Sequence, residues 1–431
     1  AIKDMAGLLK PYAATELIGA LKSEVNLPIH LHTHDTSSLQ SATYLKAIEA
    51  GVDVVDVALG GLSGLTSQPN FNSIVEMMRY HERENPYDIK SLNRFSNYWE
   101  TKREYYYPFE SGLKAGTAEV FEHEIPGGQY SNLRPQAIAL GLGDKFEDIK
   151  HMYGEVNKLF GDIVKVTPSS KVVGDMAQFM VSNGISIEDV LEKGETLSFP
   201  DSVLNFFSGN LGQPVGGFPK KLQEIILKGQ PAFTDRPNAH LEPIDFENEF
   251  VTFTDKFQKG FSRELVFTDF LSWKLYPKVW EDAHTMHLEY DDVSKIPTDV
   301  FFYGMKPHEE TVFEIAPGKA IIVKLLSVGS PKEDGMRTVF FKVNGQTRNI
   351  EITDNTLKVE KIENKKVDKE ISHQIGAPLQ GLLSKILVTV GQKVAKNEPL
   401  FVIEAIKMES NVGAIQDGII KSIHLSEGTM V

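Results

Sequence analysis

The sequence predicts a multidomain α/β protein, and three observations carry that reading. Residues 1–80 alternate short apolar strands with amphipathic helices, the period of βα units around a parallel sheet, open or closed into a barrel. Residues 301–354 switch to strand composition, with Val312-Phe313-Glu314-Ile315 and apolar runs at 320–325 and 338–343. Near the C-terminus one unit occurs twice: Ala377-Pro378-Leu379-Gln380-Gly381 leads to Gly391 and Val394, and 37 residues later Ala414-Ile415-Gln416-Asp417-Gly418 leads to Gly428 and Val431. Short repeated strands related by pseudo-symmetry make a small flattened β-barrel.

The chain has 431 residues, enough for two to four domains. A hydrophobic content of 41% and a charged content of 24% suit an ordinary globular protein. A net charge of −14 argues against a general nucleic-acid binder. The absence of cysteine excludes a disulfide framework, a thiol nucleophile and a thiolate metal site. No run of 18 apolar residues and no signal-peptide pattern is present, so no membrane span is expected. The chain starts at Ala1 without a methionine and stops at Val431, where the second repeat needs one more strand. It reads as the C-terminal part of a longer polypeptide, cut at both ends.

Taken in order, Ile2-Lys3-Asp4 is a strand end followed by a turn, and Pro11 opens a helix. Leu17, Ile18, Leu21 and Val25 are spaced for one buried face of that helix. Residues 27–34 form a second strand, 43–49 a second helix closed by Gly51, and 52–58 a third strand. Residues 85–235 are rich in helix formers. Their aromatic clusters, Tyr98-Trp99 and Tyr105-Tyr106-Tyr107, read as packing. Ile125-Pro126-Gly127-Gly128 turns into a helix, and Thr167-Pro168-Ser169-Ser170 reads as a helix N-cap. Asn344-Gly345 is a hairpin turn. Residues 356–373 alternate charges with no apolar period, a solvated flexible linker that spans roughly 60 Å if extended.

Two stretches point to chemistry. In a strand His32 and His34 face one side, with His30 one step earlier, so both imidazoles can reach one metal ion. Solvated or hydrogen-bonded histidines would show the same spacing. Asp35-Thr36 follows where strand becomes loop, the end at which parallel barrels keep their chemistry. Glu404-Ala405-Ile406-Lys407-Met408 places a lysine among small and apolar residues between the two repeat halves.

That second stretch resembles the biotinyl domain of biotin-dependent carboxylases, whose usual motif is Ala-Met-Lys-Met; here Ile406 replaces the first methionine. The resemblance implies that Lys407 carries covalent biotin, attached by a biotin protein ligase. The run 2–11, His32-Thr33-His34-Asp35-Thr36, Ser63-Gly64-Leu65-Thr66-Ser67-Gln68-Pro69 and 166–175 resemble the carboxyltransferase (β/α)8 barrel of the pyruvate carboxylase family. A loop departure occurs at Ser37-Ser38-Leu39-Gln40, where the family has a glycine-rich turn.

By that similarity His32 and His34 bind a divalent metal (Mn, Zn or Mg), and Lys3 is carbamylated to become a third ligand. Thr167 relays a proton between biotin and pyruvate, and Ser170 and Lys171 line the biotin pocket. The implied reaction carries a bicarbonate-derived carboxyl group onto pyruvate to give oxaloacetate, with ATP used in an upstream domain. The expected order is the end of a TIM barrel (1–85), a helical extension (86–235), a tetramerisation or allosteric domain (236–355), a linker (356–373) and an incomplete carrier (374–431). A homotetramer is implied, in the bacterial cytoplasm or a mitochondrial matrix. A sodium-pump decarboxylase or transcarboxylase subunit shares the barrel and carrier and stays an alternative, as does a carrier fused to an inactive scaffold.

Overall fold

The computed structural model describes residues 1–261, 263–332, 335–354, 366–367, 373–405 and 408–431. Lys407 and most of the expected linker lie outside the described residues. The chain divides into two compact units, Ala1–His240 with Asn364–Val431, and Leu241–Glu363.

The first unit opens with three parallel strands in the order β1 (Ile2–Asp4), β2 (His30–Thr33), β3 (Val54–Val55). Helices Pro11–Glu24 and Gln40–Glu49 connect them, and Leu31, Ile18, Ala14, Tyr44 and Ala47 form the core they share. Two details differ from the sequence expectation. The buried stripe of the first helix is Ala14 and Ile18 with Leu21 partly buried, whereas Leu17 and Val25 are exposed. Ala14 lets the helix approach the sheet one turn earlier, and the chain has already left the helix at Val25. The third strand is shorter than expected, Val54–Val55, and just before it the Asp53 carboxylate takes the Ile29 N–H and the Lys22 ammonium.

Helices between Ile89 and Leu227 follow, around a core that includes Leu133, Tyr153, Phe160, Val173, Met176 and Phe207. Of the aromatics expected to pack, Tyr105 is half-buried and Tyr98 and Trp99 meet edge to face at 5.3 Å, but Tyr98, Trp99, Tyr106 and Tyr107 are largely exposed. The helix of Tyr98 and Trp99, Ile89–Arg103, buries a small-residue face instead, where Ser96 lies against Gly60 and Gly61 too closely for any side chain there.

The repeat near the C-terminus folds as two small sheets. One is β8 (Leu382–Ile386), β10 (Pro399–Ala405) and β11 (Met408–Gly413); the other is β9 (Lys393–Val394) with β12 (Gly418–Ile419). The 37-residue offset reappears in the hydrogen bonds. Gly391 N–H donates to Ile420 and Gly428 N–H to Leu383; Ile420 N–H donates to Gln392 and Leu383 N–H to Thr429. Gly418 pairs with Val394 just as Gly381 pairs with Val431. Each of these bonds in one half thus has a counterpart in the other, which is the pseudo-twofold that the repeated sequence requires.

The second unit holds an aromatic helical cluster, Phe253, Phe257, Leu265 and Phe270 with Trp273 and Trp280. It also holds an antiparallel four-stranded sheet, β4 (Glu310–Ala316), β5 (Lys319–Val328), β6 (Met336–Val343) and β7 (Gln346–Thr353). Asn344 and Gly345, at φ +47° and +86°, make the tight turn between β6 and β7. Among the described residues no helix is long and apolar enough to cross a membrane.

Candidate functional site

The first three strands bring one row of side chains together. Lys3 stands level with His32 across β1 and β2, and His30 level with Val54 across β2 and β3. Two residues on, Asp56 comes level with His32, its N–H bonded to the Leu31 carbonyl. Residues level across a sheet point to one face, so Lys3, His32 and Asp56 share it. Tyr44 fixes the row from behind: its hydroxyl accepts the Thr33 N–H and donates to the Asp56 carbonyl at 2.7 Å.

Hydrogen bonds set the two imidazoles. His32 Nδ1 lies 2.7 Å from Asp56 Oδ2, and His34 Nδ1 lies 2.6 Å from the Thr66 carbonyl oxygen. Carboxylate and carbonyl only accept, so Nδ1 carries the proton in both rings and Nε2 presents its lone pair. These two Nε2 atoms face each other at 3.2 Å. Two lone pairs so close repel unless a cation stands between them. Nitrogens bound at about 2.0–2.1 Å to one divalent ion, near a right angle, are separated by about 3 Å. The pair therefore fits a divalent metal, and each imidazole has the outer acceptor that metal-bound histidines use.

Electrostatics agree with that use. Burial is the main cause that pushes the His34 pKa down, with His32 and Lys3 assisting and the Thr66 carbonyl opposing. The ring is thus kept neutral, the form that binds a metal. Burial pushes the Asp56 carboxyl up, but hydrogen bonds from His30 and His32 outweigh it and hold it below the usual range. Among the described residues no group of three or more His, Asp and Glu side chains is placed to hold a metal. Lys3 is the neighbour of His32 in register.

A second cluster lies at the start of the helix Ser169–Asn183. Lys171 Nζ donates to Asp175 Oδ2 at 2.5 Å, and Ser202 Oγ donates to the same oxygen at 2.6 Å. Asp175 is 1% exposed. Burial raises its pKa, against the pull of Lys171 and Ser202. Ser170 is buried beside it, and its carbonyl accepts the Tyr153 hydroxyl at 3.3 Å. Thr167 is exposed, and its hydroxyl makes no hydrogen bond among the described residues. It does not cap the helix: Pro168 holds the N-cap position, and no side chain caps it. Ser169 closes the turn instead, donating to the Val164 and Val166 carbonyls.

Among the described residues no hydrogen bond joins the two clusters. The helix Gly127–Ala139 touches both. A side chain at Gly127 would meet His34 Nδ1, and one at Gly174, in the helix that starts at Ser169, would meet Gln129 Nε2, each at 2.6 Å. Asp56, Asp175 and Gly127 escaped the sequence reading. Asp56 left a signal, since a carboxylate in an apolar strand needs a partner. Asp175 left another, lying four residues after Lys171 on a helix.

Similarity to known proteins covers each part. Residues 1–98 match the family described as HMGL-like, 120–324 the conserved carboxylase domain, and 373–431 the biotin-requiring enzyme family. Over 99% of its length the chain is 48% identical to the pyruvate carboxylase of Bacillus subtilis (strain 168). The chain belongs to the pyruvate carboxylase family. The human mitochondrial pyruvate carboxylase is 40% identical over 99% of the chain. The chain spans 37% and 36% of the length of these two relatives. The carboxyl transferase domain of Rhizobium etli pyruvate carboxylase, solved with pyruvate and biocytin, aligns with a TM-score of 0.76 and 46% identity, covering 82% of this chain and 59% of that one. A complete multifunctional pyruvate carboxylase from Rhizobium etli aligns with a TM-score of 0.74 over 81% of this chain and 34% of that one. The fold is accordingly that of a barrel-type carboxyltransferase domain together with a biotinyl domain.

Proposed function

We propose that this chain transfers a carboxyl group from biotin on Lys407 to pyruvate, giving oxaloacetate, and that it also carries the biotin. The observation that carries the reading is the His32–His34 pair, whose two lone pairs meet at 3.2 Å beside Lys3. The Rhizobium etli domain that the chain resembles was solved with pyruvate and biocytin, which supports the substrate and the tethered group. When bound, biotin supplies the carboxyl group and a divalent metal polarises the ketoacid carbonyl.

His32 and His34 would hold the metal through Nε2, with Asp56 and Thr66 fixing the rings. Lys3 would complete the set after its neutral amine takes up carbon dioxide. The ammonium first gives up one proton to become that neutral amine; the addition then forms an N–C bond, releases a second proton and leaves an anionic oxygen donor in place of a cation. Thr167 takes a proton from the pyruvate methyl group and passes its own hydroxyl proton to the nitrogen that gives up the carboxyl. Its hydroxyl is exposed and unengaged, and its branched Cβ limits the rotamers it can adopt. Ser170 and Lys171 line the place where biotin enters, with Lys171 pointed by Asp175.

The wider assignment is part of the same proposal. Loading of biotin with bicarbonate and ATP is assigned to a region outside this chain, and Lys407 to a biotin protein ligase. The unit Leu241–Glu363 is assigned to tetramerisation or allosteric control; its β7 is exposed along its whole length, including Ile350 and Ile352, which suits a subunit contact. The linker at 356–373 would let the carrier travel. Location in the bacterial cytoplasm, or a mitochondrial matrix in a eukaryote, follows the relatives. In the full-length protein, Lys407→Arg should abolish both the avidin signal and oxaloacetate formation. An avidin signal that survives the change would refute the carrier assignment.

A further inference from the structure

The carrier touches the helical region through a contact that the transfer chemistry does not use. Asn411, on β11, donates from Nδ2 to both carboxylate oxygens of Asp201, at 3.1 and 3.0 Å, and its backbone N–H faces Asp201 Oδ1 at 3.4 Å. Among the described residues the Asp201 side chain has no other hydrogen-bond partner. Asp201 opens the helix Asp201–Phe207, and the next residue is Ser202. Ser202 holds the same Asp175 oxygen that takes Lys171. A short path therefore runs from Asn411 through Asp201, Ser202 and Asp175 to Lys171. Beside it Leu140 packs both on the helical core and on the carrier cluster of Leu379, Leu383, Ile403 and Val412.

We propose that Asp201 and Asn411 form the seat that recognises the carrier at the transfer site, and that Ser202 and Asp175 pass its occupancy to Lys171. The proposal rests on the carrier and carboxyltransferase reading above. Lys407 precedes Asn411 by four residues, so at most about 13 Å of extended chain separates the attachment point from the seat. A carboxylate buried beside another domain's surface loses water on docking, and only the correct amide returns its hydrogen bonds. That makes the seat selective. It is also weak, because an amide faces the carboxylate instead of a cation. The like charges of Lys228 and Lys396 oppose docking nearby; burial first, then Lys396, lowers the Lys228 pKa. A carrier that must leave after each transfer needs a contact of this kind. Asp201 and Ser202 act as positioning residues and touch no reacting atom.

The test uses the full-length protein and two routes of oxaloacetate decarboxylation, one through biotin tethered at Lys407 and one through free biotin added to a Lys407→Arg background. Asn411→Ala should slow the tethered route about tenfold, the size of a lost charge-assisted hydrogen bond, and leave the free-biotin route unchanged. Asp201→Asn should slow the tethered route similarly. Combining Asp201→Asn with Asn411→Asp restores an amide facing a carboxylate and should recover most of the rate. Hydrogen exchange should show peptides covering 201–207 losing protection in Asn411→Ala. Unchanged tethered rate and protection, no recovery in the exchange variant, or an equal fall in the free-biotin route would each overturn the seat. If the unaltered protein runs neither route, the functional reading falls, and the exchange of 201–207 in Asn411→Ala still decides whether the seat exists.

Discussion

Gly127 leaves room for His34. A side chain at Gly127 would place its Cβ 2.6 Å from His34 Nδ1 and 2.8 Å from the Thr66 carbonyl oxygen, inside the hydrogen bond that sets the ring. Gly127→Ala should therefore turn His34 away and reduce bound metal about tenfold or more, the scale of losing an outer partner of a metal ligand. Gly128→Ala is the control, because nothing lies within 4 Å of its added Cβ. Elemental analysis of both folded full-length variants checks the expectation. Equal metal content in the two would count against it.

Asp56 acts on the proposed metal site through its hydrogen bond to His32. Asp56→Asn keeps the shape but lets an amide face Nδ1 of His32 and Nε2 of His30, which loosens the tautomer that Asp56 imposes. Metal affinity should fall about 10- to 100-fold, read by competition with a chelator. His30→Ala should change affinity far less, since His30 shares the carboxylate without facing His34.

Thr167 separates a chemical role from a structural one. No side chain caps the helix that follows it, so Thr167→Ala should leave the melting temperature almost unchanged. Carboxyl transfer in the full-length protein should drop roughly 10²- to 10⁴-fold, the usual worth of a positioned acid–base group. ATP-dependent loading of biotin should persist. Thr167→Ser should retain part of the transfer rate, because the hydroxyl stays but turns more freely. A lowered melting temperature with intact transfer would reverse the assignment.

His123 gives the fold a pH dependence that is separate from the metal site. It is buried, and its Nδ1 accepts the Ile125 N–H at 2.9 Å, so the neutral ring is built in. Burial lowers its pKa to about 4, opposed by Glu119 and assisted by Lys150. The unfolded chain takes up this proton first as pH falls. The stability that His123 contributes is therefore complete above about pH 6.5 and is lost as pH drops toward 4, by at most about 3 kcal/mol. His123→Gln keeps an acceptor for Ile125 and cannot titrate. Urea unfolding of this variant between pH 4 and 7 should show a flatter profile than the unaltered protein.

Much of the architecture was legible along the chain because it is periodic. The 37-residue offset of the repeat returns as matched hydrogen bonds such as Gly391 to Ile420 and Gly428 to Leu383. The two-residue period of a strand was enough to place His30 and His32 on one face, and the Asn344-Gly345 pair was enough for a hairpin. What the sequence could not decide is which partners those residues meet. Asp56 lies 24 residues from His32, and Asp201 lies 210 from Asn411. Gly127 reaches His34 only because one helix packs across the ends of strands far away in sequence. Tyr98 and Trp99 are largely exposed, while Ser96 on their helix packs against a glycine pair. Local periodicity sets the direction in which a side chain points, whereas the groups it meets depend on how distant elements pack, and that is settled by shape and burial over the whole fold.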